Sequence, residues 1–156
     1  MKSILSKIAT GSDSSFVYKN LVLDNINDPW HFHKEYELVL MDKGQGTRFV
    51  GDNVSNFEEG NLTLIGSNIP HLFRNNEAHY EKSKSGQVSV IYTLFSKDFL
   101  GNEFFNISEM KSVNKLLEKS SLALDIGGQT KKWIIKKLYA MNDQKPTQRL
   151  ISLLEI

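Results

Sequence analysis

Two hydrophobic periods divide the chain. Between residues 16 and 95, apolar side chains come in short runs that alternate with polar ones, the period-two pattern of β-strands. The runs lie at 16–23, around 31–33, at 37–41, 47–50, 54–57, 62–65 and 88–95, with Asn, Asp, Gly and Pro clusters between them. Gly51-Asp52-Asn53 and Glu58-Glu59-Gly60-Asn61 read as hairpin turns, and Asp42-Lys43-Gly44-Gln45-Gly46 as a sharp turn. Short strands at this spacing predict an antiparallel barrel or sandwich. Within 88–95, Val88, Val90, Tyr92 and Leu94 share one face and Ile91 and Phe95 the other. Within 37–41, Val39 and Met41 share the face of Glu37 while Leu38 and Leu40 oppose it. Strands that are apolar on both faces need an outer cover.

The cover is predicted C-terminal, where the period changes to 3.6. In 108–119, Met110, Val113, Leu116 and Leu117 form one helical face, with Ser108 as N-cap. Residues 122–126, closed by Gly127-Gly128, read as a short strand or a turn, and 129–142 as a helix carrying Trp133, Ile134, Ile135, Leu138, Tyr139 and Met141. That apolar surface is too wide for one contact. Pro146 opens a third segment with Leu150, Ile151, Leu153 and Leu154. The organisation expected is a polar N-terminal arm at 1–13, a barrel at 14–106 that includes a polar loop at 76–86, and a helical segment at 107–156. An uncapped apolar helix running to Ile156 predicts that the gene product continues.

Composition narrows the function classes. The 156 residues are 40% hydrophobic and 24% charged, ordinary for one globular domain. A net charge of +1 offers no bulk attraction to nucleic acid or membrane surfaces. With no cysteine, disulfides and thiol catalysis are excluded. No stretch has the length of a membrane span or the form of a signal peptide, so a cytoplasmic protein is expected.

Candidate chemistry gathers in 30–75. His31 and His33 are one residue apart, so on a strand they face the same way. Glu37 converges on them only if the chain turns at Lys34-Glu35-Tyr36, because four extended residues would carry it ~13 Å away. Imidazoles and a carboxylate bind a divalent metal or hydrogen-bond a polar ligand near neutral pH. Trp30 is a candidate stacking surface, Arg48 a charged donor and Tyr92 an inward hydroxyl, although an exposed Arg, a core Trp and half-buried packing are the plainer roles.

The spacing His-x-His, three residues, Glu37, six residues, Gly44 resembles the first motif of the cupins. Gly60, five residues, Gly66-Ser67-Asn68, two residues, His71, three residues, Asn75 resembles the second. The first motif usually opens with glycine where this chain has Asn25, and the second usually carries Pro-x-Gly where it has Gly66-Ser67-Asn68. The resemblance implies a mainly β fold: a cupin-type antiparallel barrel (double-stranded β-helix) followed by two or three α-helices. His31, His33, Glu37 and His71 would line one mouth of it and commonly hold a metal, here nickel, zinc, iron or manganese.

The order barrel, then amphipathic helices, resembles the N-terminal half of AraC-type bacterial transcription regulators over about 16–156. The most specific stretches are PWHFHKEYELVLMDKGQGTRFVGD and FEEGNLTLIGSNIPHLFRN. The resemblance implies a small effector, such as a sugar, held by Trp30, His31, His33, Glu37, Arg48, His71 and Tyr92. It implies a homodimer through the helices, for which Trp133, Ile134, Leu138, Met141, Leu150, Leu153 and Leu154 are the expected contacts. DNA would be read by helix-turn-helix units beyond this chain. No catalytic residues are implied. The rival reading is a metal-dependent cupin enzyme of the oxygenase or isomerase class, and a third is a barrel that only dimerises.

Overall fold

The computed structural model describes residues 2–9, 11, 14–75 and 88–156. The polar run at 76–86 lies outside the described residues, as does part of the expected arm. Among the described residues, ten strands form two five-stranded sheets. One is ordered β1 (Ile4–Leu5), β3 (His31–Phe32), β8 (His71–Asn75), β5 (Gly46–Val50) and β6 (Asn53–Phe57). The other is ordered β10 (Leu124–Asp125), β7 (Asn61–Ile65), β4 (Tyr36–Lys43), β9 (Val88–Phe95) and β2 (Val17–Leu23). All pairings are antiparallel except β1 with β3, where Ile4 lies opposite His31. Chain neighbours such as β3 and β4, or β7 and β8, fall in different sheets. The sheets therefore face each other as the double-stranded antiparallel barrel of the cupins.

The alternation seen in the sequence is the inside and outside of this barrel. Val39, Met41, Phe73, Val88 and Val90 pack inside with Ile26, Val50, Phe57 and Ile65. Leu38, Leu40, Leu62, Leu64 and Ile91 face outward into a second apolar cluster beneath the helices. α1 (Lys111–Lys119), α2 (Gly128–Ala140) and α3 (Pro146–Glu155) complete that layer, with short 3₁₀ turns at Phe104–Asn106, Ser108–Met110 and Ser120–Leu122. Ser108 is not the helix cap: it begins a 3₁₀ turn, and the residue capping α1, Met110, makes no side-chain cap bond.

The expected dimer contacts need correction. Ile134, Leu138, Met141 and Leu153 are buried against the outer barrel face, and Leu150 packs partly against the same cluster. Much of the wide apolar surface of α2 is covered within one chain, where Ile134, Leu138 and Met141 share a cluster with the outer barrel face and with Leu153 of α3. Of the seven, Trp133 and Leu154 stay exposed, at 44% and 43%, with Ile151 beside them in α3 at 52%.

Two glycines mark close approaches. A Cβ on Gly46 would run into the carbonyl oxygen of Arg74 in β8, and one on Gly66 would meet the backbone of Ser120–Ser121 at 2.8 Å. The second contact docks the helical segment: Gly66 N–H donates to Ser120 O at 2.9 Å, and β10 then returns to the barrel by pairing with β7.

Candidate functional site

The expected turn brings the histidines and Glu37 together. β3 ends at Phe32, the chain bends at residues 34–35, and β4 starts at Tyr36. The bend is strapped by the loop before β8, where Asn68 N–H donates to His33 O at 2.8 Å and Ser67 Oγ to Lys34 O at 2.6 Å. Asn68 holds φ +60°, a left-handed conformation that Asn tolerates better than most residues. Asn68 thus takes the left-handed position where the second cupin motif, which this stretch resembles, usually has glycine. Asn75 is a tie rather than a ligand: its Oδ1 accepts from Ile26 N–H at 2.7 Å.

His31 lies opposite His71 in the sheet, and their ring centroids are 4.4 Å apart. His33 stands 5.1 Å from His71 and 5.8 Å from His31. One ring nitrogen from each of the three falls within 4.8 Å of the others. Each Nδ1 faces a backbone carbonyl: His31 toward Pro29 O at 2.9 Å, His33 toward Glu35 O at 3.1 Å, and His71 toward Ile69 O at 2.7 Å. A carbonyl only accepts, so each Nδ1 carries hydrogen, and the neutral rings present bare Nε2 lone pairs. Glu37 Oε2 lies 3.2 Å from Nε2 of His33 and 3.0 Å from Nε2 of His71. Two lone pairs do not face each other at such distances without a proton or a cation between them. His71 Nε2 is buried and makes no well-aligned hydrogen bond, so its close polar neighbour is Glu37 Oε2.

Electrostatics follow from this packing. Burial alone would raise the Glu37 carboxyl, but contacts with His33 and His71 pull it down to about 2. Burial lowers His71, yet the Glu37 carboxylate and the Ile69 carbonyl outweigh it and the net shift is upward. Burial dominates at His31 and pushes it down.

The cluster tops a cavity of about 230 Å³ inside the barrel. Of the predicted ligand residues, His31, His33, Glu37, His71 and Tyr92 line it; burial, then the charges of Glu37 and Asp28, raise the Tyr92 phenol. Trp30 does not: it lies on a separate shallow surface with Lys2 and Arg74. Arg48 does not either. Its guanidinium donates to both Asp125 oxygens at 2.6 and 2.5 Å, and to Thr63, Asn61 and Ser55, tying β5 to β7 and β10. Asp28, Ser6 and Ile8 were missed, and all three line the cavity. They sit in segments without hydrophobic period, so only an Asp shortly before the first histidine offered a signal. Ser6 N–H donates to Phe32 O at 2.8 Å, so the arm is carried past the site as an added strand.

The double-stranded antiparallel barrel thus brings three histidines and a buried carboxylate together at one end of its cavity. The family model for the AraC-like ligand binding domain matches residues 23–83, consistent with the N-terminal cupin-like domain of an AraC-type regulator. No curated protein matches the chain. Among solved structures, it is similar to an RmlC-like cupin family protein from Methanocaldococcus jannaschii, with 20% identity and a TM-score of 0.40, over 52% of this chain and 70% of that one. A cupin 2 conserved barrel domain protein from Rhodopseudomonas palustris gives 16% and 0.43, over 67% and 74%. An oxalate decarboxylase mutant from Bacillus subtilis gives 20% and 0.41, over 52% of this chain and 21% of that one. At such scores these likenesses carry no weight for chemistry, and the barrel rests on the chain's own strand order. No described helix is long and apolar enough to cross a membrane.

Proposed function

We propose that this chain is the effector-sensing and dimerising part of a cytoplasmic AraC-type bacterial transcription regulator, binding a small polar ligand inside the barrel. The observation that carries the reading is the cavity. It lies between the two sheets, has one polar end made by His31, His33, Glu37 and His71, and takes Ser6 and Ile8 of the arm into its wall. Its volume, about eight waters at ~30 Å³ each, suits one small molecule. A ligand that touches the arm and β4 together favours one arrangement of the arm over another, which is how binding shifts a population. A sugar is the effector class that the family resemblance brings. DNA is contacted by helix-turn-helix units outside this chain, and Trp133, Ile151 and Leu154 are the helical surface left for a second copy. Thermal shifts with a panel of sugars and other small polar molecules, on the protein and on His71→Ala, test the reading. Stabilisation that disappears in His71→Ala is expected, whereas a panel that leaves the protein unmoved counts against it.

The second reading is a metal-dependent enzyme, favoured by the three Nε2 lone pairs whose rings are oriented through Nδ1, the arrangement by which proteins orient imidazole ligands. The donor set fits a divalent ion such as nickel, zinc, iron or manganese, held by His31, His33 and His71 with Glu37. When bound, such an ion supplies Lewis acidity and open positions for an oxygen ligand. Metal content after purification without chelators decides: one ion per chain, lost in His33→Ala, favours the enzyme, and substoichiometric metal favours the sensor.

A further inference from the structure

The polar groups of the cavity are not spread round its wall. Strand register sets its levels. At the top Glu37 lies opposite Leu94, with the histidines beside it. Two residues down, Val39 lies opposite Tyr92, and two further down Met41 lies opposite Val90, itself opposite Leu21. From Glu37 to Met41 is ~13 Å along β4. Below the level of Tyr92 the lining is hydrocarbon: Met41, Val90, Leu21, Leu23 and Ile26. A polyol, with hydroxyls on every side, would leave several of them unpaired against that floor, at a cost per group comparable to a lost hydrogen bond. The cavity therefore fits a molecule with one polar head and a hydrocarbon body.

The charge of the head follows from the wall. Two carboxylates, Glu37 and Asp28, line the cavity, and among the described residues no lysine or arginine does. An anionic head would be desolvated against like charge. An ammonium carries three donors and no acceptor, and two carboxylates line the same cavity to receive it, Glu37 and Asp28, with the buried His71 Nε2, which makes no well-aligned hydrogen bond, 3.0 Å from Glu37 Oε2.

We infer that the metal-free barrel takes a small aliphatic primary amine, with its ammonium at the Glu37 and Asp28 carboxylates and its chain running down toward Met41. This rests on the sensor reading and narrows its ligand class away from sugars. The test is calorimetric titration of EDTA-treated protein with n-propylamine, n-butylamine and n-hexylamine, and with hexanol, hexanoate and arabinose. Affinity should rise about fourfold per added methylene, the equivalent of ~0.8 kcal/mol. Hexylamine should bind at least tenfold tighter than hexanoate or arabinose, and Leu21→Asn should flatten the dependence on chain length. Because the length series is read on the unchanged protein, it stands even where that variant folds poorly. Arabinose or hexanoate binding as tightly as hexylamine, or amine affinity independent of length, overturns the amine while leaving the sensor. Binding by none of the six overturns both.

Discussion

Acidifying the metal-free protein will remove a defined share of its stability through Glu37. The carboxyl falls from its ordinary 4.5 to about 2 in the folded chain. A depressed carboxyl contributes stability that is fully present above 4.5 and lost as pH falls from there through about 2. At ~1.36 kcal/mol per pH unit the drop is worth about 3 kcal/mol, and less than half of that is left at pH 3. His71 moves the other way. Being raised above its ordinary 6.5, it contributes fully below that value and loses its contribution as pH climbs through the folded value. The Glu37–His71 contact is therefore strongest between about pH 4.5 and 6.5. His31, lowered by burial, opposes folding below 6.5, so the effect is read as the difference between the protein and Glu37→Gln rather than from one pH curve. Urea unfolding of both at pH 5.5, 4 and 3 should give a gap of about 3 kcal/mol at pH 5.5, or roughly 6–12 °C in Tm, closing by more than half at pH 3. A gap that stays constant or widens on acidification would show that Glu37 is not held ionised by the histidines, and the electrostatic reading of the site would fall.

Other perturbations probe the packing. Leu138→Ala, at a fully buried position on the inner face of α2, should cost about 2–5 kcal/mol in urea unfolding, and Leu138→Glu should unfold the protein rather than dissociate it. Leu154→Glu, at an exposed position, should leave stability within about 0.5 kcal/mol while weakening any self-association seen by sedimentation. Asp125→Ala removes the bidentate partner of Arg48, whose side chain is 11% exposed, and should cost about 1–2 kcal/mol with faster amide exchange at Leu124.

The strands and their faces were legible because alternation reports burial directly. Glu37, Val39 and Met41 line the cavity and Leu38 and Leu40 lie under the helices, as the pattern of 37–41 implies. The histidine cluster was legible because its residues lie at fixed spacing on strands that the turn at 34–36 folds back. What alternation does not report is the partner across the barrel. Arg48 takes its role from Asp125, which lies 77 residues further on, and no local pattern connects them. Trp30 has the chemistry of a pocket residue but sits at the bend entering β3, on the surface it shares with Lys2 and Arg74. The helical faces misled for a related reason: width on an amphipathic helix counts the contacts it makes without saying whether they belong to the same chain. In α2 the barrel and α3 account for Ile134, Leu138 and Met141.

Cavity and helical layer are two faces of one strand. On β4, Glu37, Val39 and Met41 point to the ligand space while Leu38 and Leu40, at 3% and 0% exposure, are packed in the cluster that holds Ile134, Leu138 and Met141. Interiors at crystal-like packing density transmit displacement rather than absorb it, so a ligand that moves β4 moves the surface on which α2 rests. β7, next to β4, repeats the arrangement: Thr63 meets Arg48 and Asp125 while Leu62 and Leu64 join the outer cluster, and Asp125 lies in the strand that leads into α2. The helices thus rest on the outer faces of the same two strands whose inner faces carry Glu37 and Thr63. The shift a ligand can impose on the helical layer is bounded by its difference in affinity between the two arrangements of β4, and a 1:99 to 99:1 change needs about 5.5 kcal/mol of that difference. A head-and-tail ligand that contacts β4 at Glu37, Val39 and Met41 has three levels at which to express it, whereas one held at the histidines alone has a single level.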